Sequence, residues 1–191
     1  MKKTLTNIAL SAMFIAIGIV LPFFTGQIQQ IGNMLLPMHI PVLLCGFICG
    51  WQYGATVGFI LPLMRSALFT MPVMFPNAVS MAFELATYGF LAGFLFTHAK
   101  WKCMKSLYRC LIITMLGGRV VWGVVHAILL GMGDNAFTLT AFLTSAFLNA
   151  IPGIILQLVL IPAIMLVLDK THLVPMKRKG VNNNFSHLND F

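Results

Sequence analysis

Acidic residues are almost missing from this chain. Four of its 191 residues are Asp or Glu, against twelve Lys and Arg, and charged residues of all kinds make up 8%, where an average soluble domain carries about 25%. Of the four acids only Glu84 falls deep inside an apolar run, so paired-carboxylate chemistry has too few players. Enzyme signatures are missing as well: there is no zincin His-Glu pair, no GxSxG elbow, no P-loop and no dinucleotide fingerprint. The chain is therefore expected not to be an enzyme and to need no cofactor, and any pumping must draw on ATP hydrolysis in another subunit. Alternation of polar and apolar residues is lacking, which argues against a transmembrane β-barrel. Cysteine is sparse, with Cys45 and Cys49 in an apolar segment and Cys103 and Cys110 beside a Lys-rich stretch. No pair suits an oxidising loop. Two thiols without His or carboxylate neighbours read as small apolar fillers rather than as a metal site.

What the chain does have is a 59% hydrophobic composition and a mean hydropathy of +0.93. A helix needs about 20 largely apolar residues to cross the hydrocarbon core, and helices satisfy their own backbone there. The reading is an all-α polytopic membrane bundle of six transmembrane helices. The first span covers residues 5–24 and ends at Pro22, before a polar loop, Thr25 to Leu36, that carries Gln27, Gln29, Gln30 and Asn33. From Pro37 to Thr70 is too long for one span, so a tight turn is placed at Trp51, Gln52, Tyr53 and Gly54 between the second and third helices. The fourth span runs from Asn77 to Thr97, the fifth from Leu107 to Gly131 and the sixth from Ala141 to Leu168. Residues 1–170 form the bundle and 171–191 a polar cytoplasmic tail.

The net charge of +8 does not make a nucleic-acid surface, because the cations collect between and after the apolar runs. With both termini inside, the cytoplasmic set is Lys2, Lys3, Lys100, Lys102, Lys105, Arg109, Lys170, Lys177, Arg178 and Lys179, and the outer loops carry no cation. This obeys the positive-inside rule. The Lys177, Arg178, Lys179 cluster is expected to touch anionic membrane lipid.

Arg65 and Arg119 are the two cations left over, and both fall inside spans together with Glu84. An ionisable residue there costs roughly 2.5–3.5 kcal/mol on insertion scales and is a functional candidate by default. Two arginines and one glutamate leave one positive charge in the bundle, which an anionic ligand would neutralise; the competing reading is a buried Glu–Arg pair that only orients helices. Helical spacing groups further polar residues into stripes: Arg119, Trp122 and His126 on the fifth helix, Asn77, Met81, Glu84 and Tyr88 on the fourth, and Asn149, Gly153 and Gln157 on the sixth. Glycines recur every four residues at Gly46, Gly50, Gly54 and Gly58, and again at Gly89 and Gly93, a spacing that permits close backbone approach.

Several segments together resemble the substrate-binding S components of energy-coupling factor vitamin transporters. They are the six-span layout, the small-residue pattern Ala12-Met13-Phe14-Ile15-Ala16, the stretch Leu36-Pro37-Met38-His39-Ile40-Pro41, the segment Phe83-Glu84-Leu85-Ala86-Thr87-Tyr88-Gly89, and the Gly118-Arg119 pair. The resemblance covers residues 5 to 168. It implies a multi-pass plasma-membrane protein of bacterial type that captures a small-molecule micronutrient and docks onto a transmembrane T subunit driven by two cytoplasmic ATPases. It assigns ligand contacts to Gln30, Asn33, Asn77, Glu84, Trp122, His126 and Asn149, with Arg119 at the cavity floor, and coupling to the T subunit to Ala9, Ala12 and Ala16. Met38-His39 is internal and lacks the free amine that metal-binding members use, so a vitamin or precursor is expected, with a carboxylate compound such as pantothenate first. The alternatives are a small membrane enzyme using Glu84 and His126, or an autonomous secondary transporter, which would be expected to show paired halves.

Overall fold

Apolar runs of this length have to fold as helices in lipid, since any other backbone leaves N–H and C=O groups unpaired. The computed structural model describes residues 2–25, 37–99, 104–131 and 151–170. Within them the chain is all-α, without a strand. Helix α1 is Lys2–Val20, continued by a 3-10 turn at Leu21–Thr25; α2 is His39–Cys49, α3 Trp51–Phe69, α4 Val79–His98, α5 Met104–Gly131 and α6 Ile151–Lys170, with a π-type turn Met74–Ala78 leading into α4. Among the described residues four stretches are long and apolar enough to cross a membrane: Lys3–Phe23, Met74–His98, Met104–Leu130 and Ile151–Lys170. The other two helices fall short for separate reasons. Helix α2 has 11 residues, about 16 Å at 1.5 Å per residue. Helix α3 has 19, but Gln52, Thr56, Arg65 and Ser66 dilute its hydropathy. The first outer loop beyond Thr25, residues 141–150 of the sixth expected span, and the tail 171–191 lie outside the described residues.

The turn between α2 and α3 corrects the expected boundary. The break is at Gly50, with φ 100° and ψ 171°, while Trp51–Gly54 form the first turn of α3. That backbone region is open essentially to glycine alone. Gly54 serves packing instead: a Cβ there would lie 2.6 Å from the Gly46 Cα and 2.7 Å from the Gly89 carbonyl oxygen. A Cβ on Gly89 would collide with the Gly54 backbone, one on Gly58 with the Leu85 carbonyl, and one on Gly93 with the Trp51 backbone. Helices α2, α3 and α4 thus meet backbone to backbone. Their glycines allow a separation that any side chain would forbid.

The core runs through the middle of the bundle and draws on every helix, with Val42, Leu43, Leu61, Leu85, Leu107, Leu111, Ile161 and Met165 fully buried and Phe14 of α1 packed in the same cluster. On α1, α5 and α6 the outward side chains are aliphatic, among them Leu5, Ile112, Val120, Ile128 and Val159. A belt of exposed Leu, Ile and Val is what a lipid solvent permits and water does not.

Candidate functional site

Helix α4 presents Ser80, Glu84 and Tyr88 on one face, at successive steps of four residues, and all three are buried. Helix α5 runs alongside and presents Arg119, Trp122 and His126. The two polar faces meet. Arg119 Nη1 stands 3.1 Å from Glu84 Oε1, with the two side chains 7% and 1% exposed. From α2, His39 Nε2 approaches the same carboxylate oxygen at 3.5 Å, and its ring packs edge-on against Tyr88 with centroids 5.0 Å apart. The Tyr88 hydroxyl donates to the Met115 carbonyl at 3.3 Å, which ties the carboxylate-bearing face of α4 to α5. Three helices therefore supply one buried charged cluster.

Toward the start of α4 a second contact joins the same helices. Ser80 Oγ lies 3.1 Å from His126 Nδ1, and also 3.0 Å and 2.9 Å from the carbonyls of Pro76 and Asn77. The hydroxyl can donate to a carbonyl while accepting from the ring. His126 stacks on Trp122, centroids 4.8 Å apart and planes 16° from parallel, so a flat aromatic surface adjoins the polar cluster. Asn77 is half-buried at the head of this arrangement. Gln30, Asn33 and Asn149 lie outside the described residues.

The charge pairing is selective. Glu84 takes Arg119, whereas Arg65 is held elsewhere: it is 5% exposed, donates from Nη1 to the Ile19 carbonyl at 2.9 Å, and sits 5.7 and 5.8 Å from the ring centroids of Phe23 and Phe69. The surplus positive charge of the bundle is thus beside the end of α1, away from the cluster. Polar capacity is left over in this cluster and elsewhere in the buried interior. Among the described residues, no hydrogen bond completes Arg119 Nε and Nη2, either ring nitrogen of His39, Thr114 Oγ1, or the amide of Gln157, which is 1% exposed on α6. Leaving such groups buried and unpaired costs about 1–3 kcal/mol each, more for a charged one.

His39 and Ser80, which the structure brings to the polar cluster, were not among the ligand contacts expected from the sequence, and Gln157 was expected only as a stripe member. For His39 the signal was its ionisable side chain in an apolar run; for Ser80 it was a hydroxyl one turn before Glu84. Gly153 is buried beside Gln157 on α6. On α1, Ala9, Ala12 and Ala16 are exposed, on the side opposite the buried Ser11, Phe14 and Gly18. A groove of about 570 Å³ lies apart from the cluster, between α1, α2 and α6, and none of the expected ligand residues among the described residues lines it.

The model of one family, described as ECF transporter, substrate-specific component, matches residues 6–165. The chain belongs to that family. Comparison with curated proteins and with solved structures returns no match. As an S component the chain is a substrate-binding, multi-pass membrane subunit, of a family whose members are transporter subunits. Membership implies a small-molecule substrate, together with T and ATPase partner subunits. It also gives the buried cluster a context, because a membrane subunit that binds a small polar molecule needs polar side chains inside the bundle.

Proposed function

We propose that this S component captures a carboxylate-bearing vitamin or vitamin precursor, of which pantothenate is the leading example, from the outer side of a bacterial plasma membrane. It then delivers the ligand through a T subunit driven by two cytoplasmic ATPases. In this reading six helices span, both termini are cytoplasmic, and residues 171–191 form a tail. The binding side chains are Asn77, Glu84, Arg119, Trp122 and His126, joined by Gln30, Asn33 and Asn149, with His39 added because it reaches the Glu84 carboxylate and Gln157 because it is a buried amide without a hydrogen bond. The observation that carries the choice of ligand is Arg119. Its Nη1 faces Glu84, which leaves the Nε and Nη2 donors as a fork matched to a carboxylate. Trp122 supplies an apolar face beside it.

A thermal-shift screen of the purified protein at fixed salt tests this, since a ligand that binds only the native state raises its stability. One carboxylate vitamin or precursor is expected to raise Tm, by an amount that grows with concentration, and Arg119→Gln is expected to abolish the shift. If only uncharged compounds shift Tm, the carboxylate assignment is wrong. If nothing on the panel shifts a folded protein, the site itself is wrong.

A further inference from the structure

The groove between α1, α2 and α6 takes no part in the ligand reading, and the inference from it does not depend on that reading. Among the described residues its walls are Leu, Ile, Met, Phe and Pro side chains with Thr6 as the one polar residue, and no glycine or alanine lines it. That lining argues against a docked helix, because helices approach one another in lipid through small residues. The exposed small residues of α1 point elsewhere: Ala9, Ala12 and Ala16 lie about a third of a turn round from Leu10, Ile17 and Leu21 at 3.6 residues per turn. A slot between branched side chains is filled better by a flexible methylene chain, which adjusts to each wall and collects many small dispersion contacts.

Length and charge agree. On α1 the lining runs from Thr6 to Leu21, about 22 Å at 1.5 Å per residue, against about 15 Å for one leaflet of the hydrocarbon core. The end at Thr6 and Leu168 is the basic one. Lys3 is exposed one turn before Thr6 on the groove side of α1, and Lys170 is exposed two residues beyond Leu168, with Asp169 the one acid in that stretch. This is the end that the distribution of positive charge puts in the cytoplasm, where the leaflet is anionic.

We propose that the groove is a phospholipid site: one acyl chain of an anionic phospholipid lies along α1 between α2 and α6, and its phosphate meets Lys3 and Lys170. The test uses the full chain in phosphatidylcholine nanodiscs doped with phosphatidylglycerol or phosphatidylcholine carrying a photoreactive acyl chain, with labelled residues mapped by mass spectrometry. Label is expected to concentrate on Met13, Ile17 and Ile164 over the lipid-facing controls Val120 and Ile128. Phosphatidylglycerol should label roughly fivefold more than phosphatidylcholine for each lysine engaged, the factor equivalent to about 1 kcal/mol per juxtamembrane cation. In Lys3→Gln/Lys170→Gln the two lipids should label equally, and Ile17→Trp should displace the chain. The double lysine variant alters only exposed side chains and keeps the test valid if the tryptophan variant does not fold. Even labelling of groove and controls would mean ordinary annular lipid and would overturn the proposal, as would groove labelling without headgroup preference. An unlabelled groove that instead crosslinks through Met13→Cys to a T subunit or to a second copy would show a protein occupant and overturn it too.

Discussion

Glu84 is where the individual side chains matter most, because one carboxylate answers to two cationic or potentially cationic partners from different helices. Removing it strands a buried guanidinium. Glu84→Gln is expected to cost about 3–5 kcal/mol of stability, and Glu84→Gln combined with Arg119→Gln to recover a substantial part, since an uncompensated buried charge costs more than a missing pair. Denaturant unfolding of the single and double variants in detergent measures both; a purely additive double variant would mean that the pair is not coupled. Arg65 makes a contrasting prediction. Its contacts are a carbonyl and two rings, so Arg65→Met should lose about 1.5–3 kcal/mol for the charged hydrogen bond but leave ligand-induced stabilisation intact. From the sequence, all three intramembrane charges were legible. Which arginine meets the glutamate was not, because composition gives the charges and only the packing of α4 against α5 gives the distance. His39 escaped notice as a partner for a similar reason: it is 45 residues from Glu84 along the chain and 3.5 Å away in space.

At the level of helices, two glycines separate two physical demands. Gly58 is required for space, since a Cβ would strike the Leu85 carbonyl, whereas Gly50 has nothing within 4 Å of the Cβ position but a φ of +100°. Gly58→Val should therefore force α3 from α4 and cost at least about 1–3 kcal/mol as overpacking. Gly50→Ala should cost about 1–3 kcal/mol through backbone strain alone. Graded side chains separate them in unfolding experiments: the penalty at Gly58 should grow from Ala to Val because the obstacle is the Leu85 backbone, whereas at Gly50, with open space around the Cβ position, Ala and Ser should cost about the same. The four-residue glycine spacing was plain in the sequence. The turn was placed just past its true position because Trp51, Tyr53 and Gly54 look like an interfacial loop, while the structure uses Gly54 as a contact and Gly50 as the break.

For the whole molecule, the question is how binding and transport divide between surfaces. The exposed alanines of α1 face away from the buried cluster, so Ala12→Leu with Ala16→Leu is expected to leave the ligand-induced Tm shift unchanged while stopping ATP-dependent uptake in liposomes that contain the T and ATPase subunits. Loss of binding in that variant would place the alanines in the bundle's own packing instead. The all-α architecture was the most legible feature, because hydropathy acts over whole segments and survives local uncertainty. The backbone contacts among α2, α3 and α4 bear on how such a molecule diversifies. Where main chain touches main chain no side chain is available to vary, so that slab is closed to mutational exploration. Novelty in ligand choice is left to the cluster-facing sides of α2 and α4, to α5 and α6 and to the loops, and one scaffold can be recruited to new nutrients without being rebuilt.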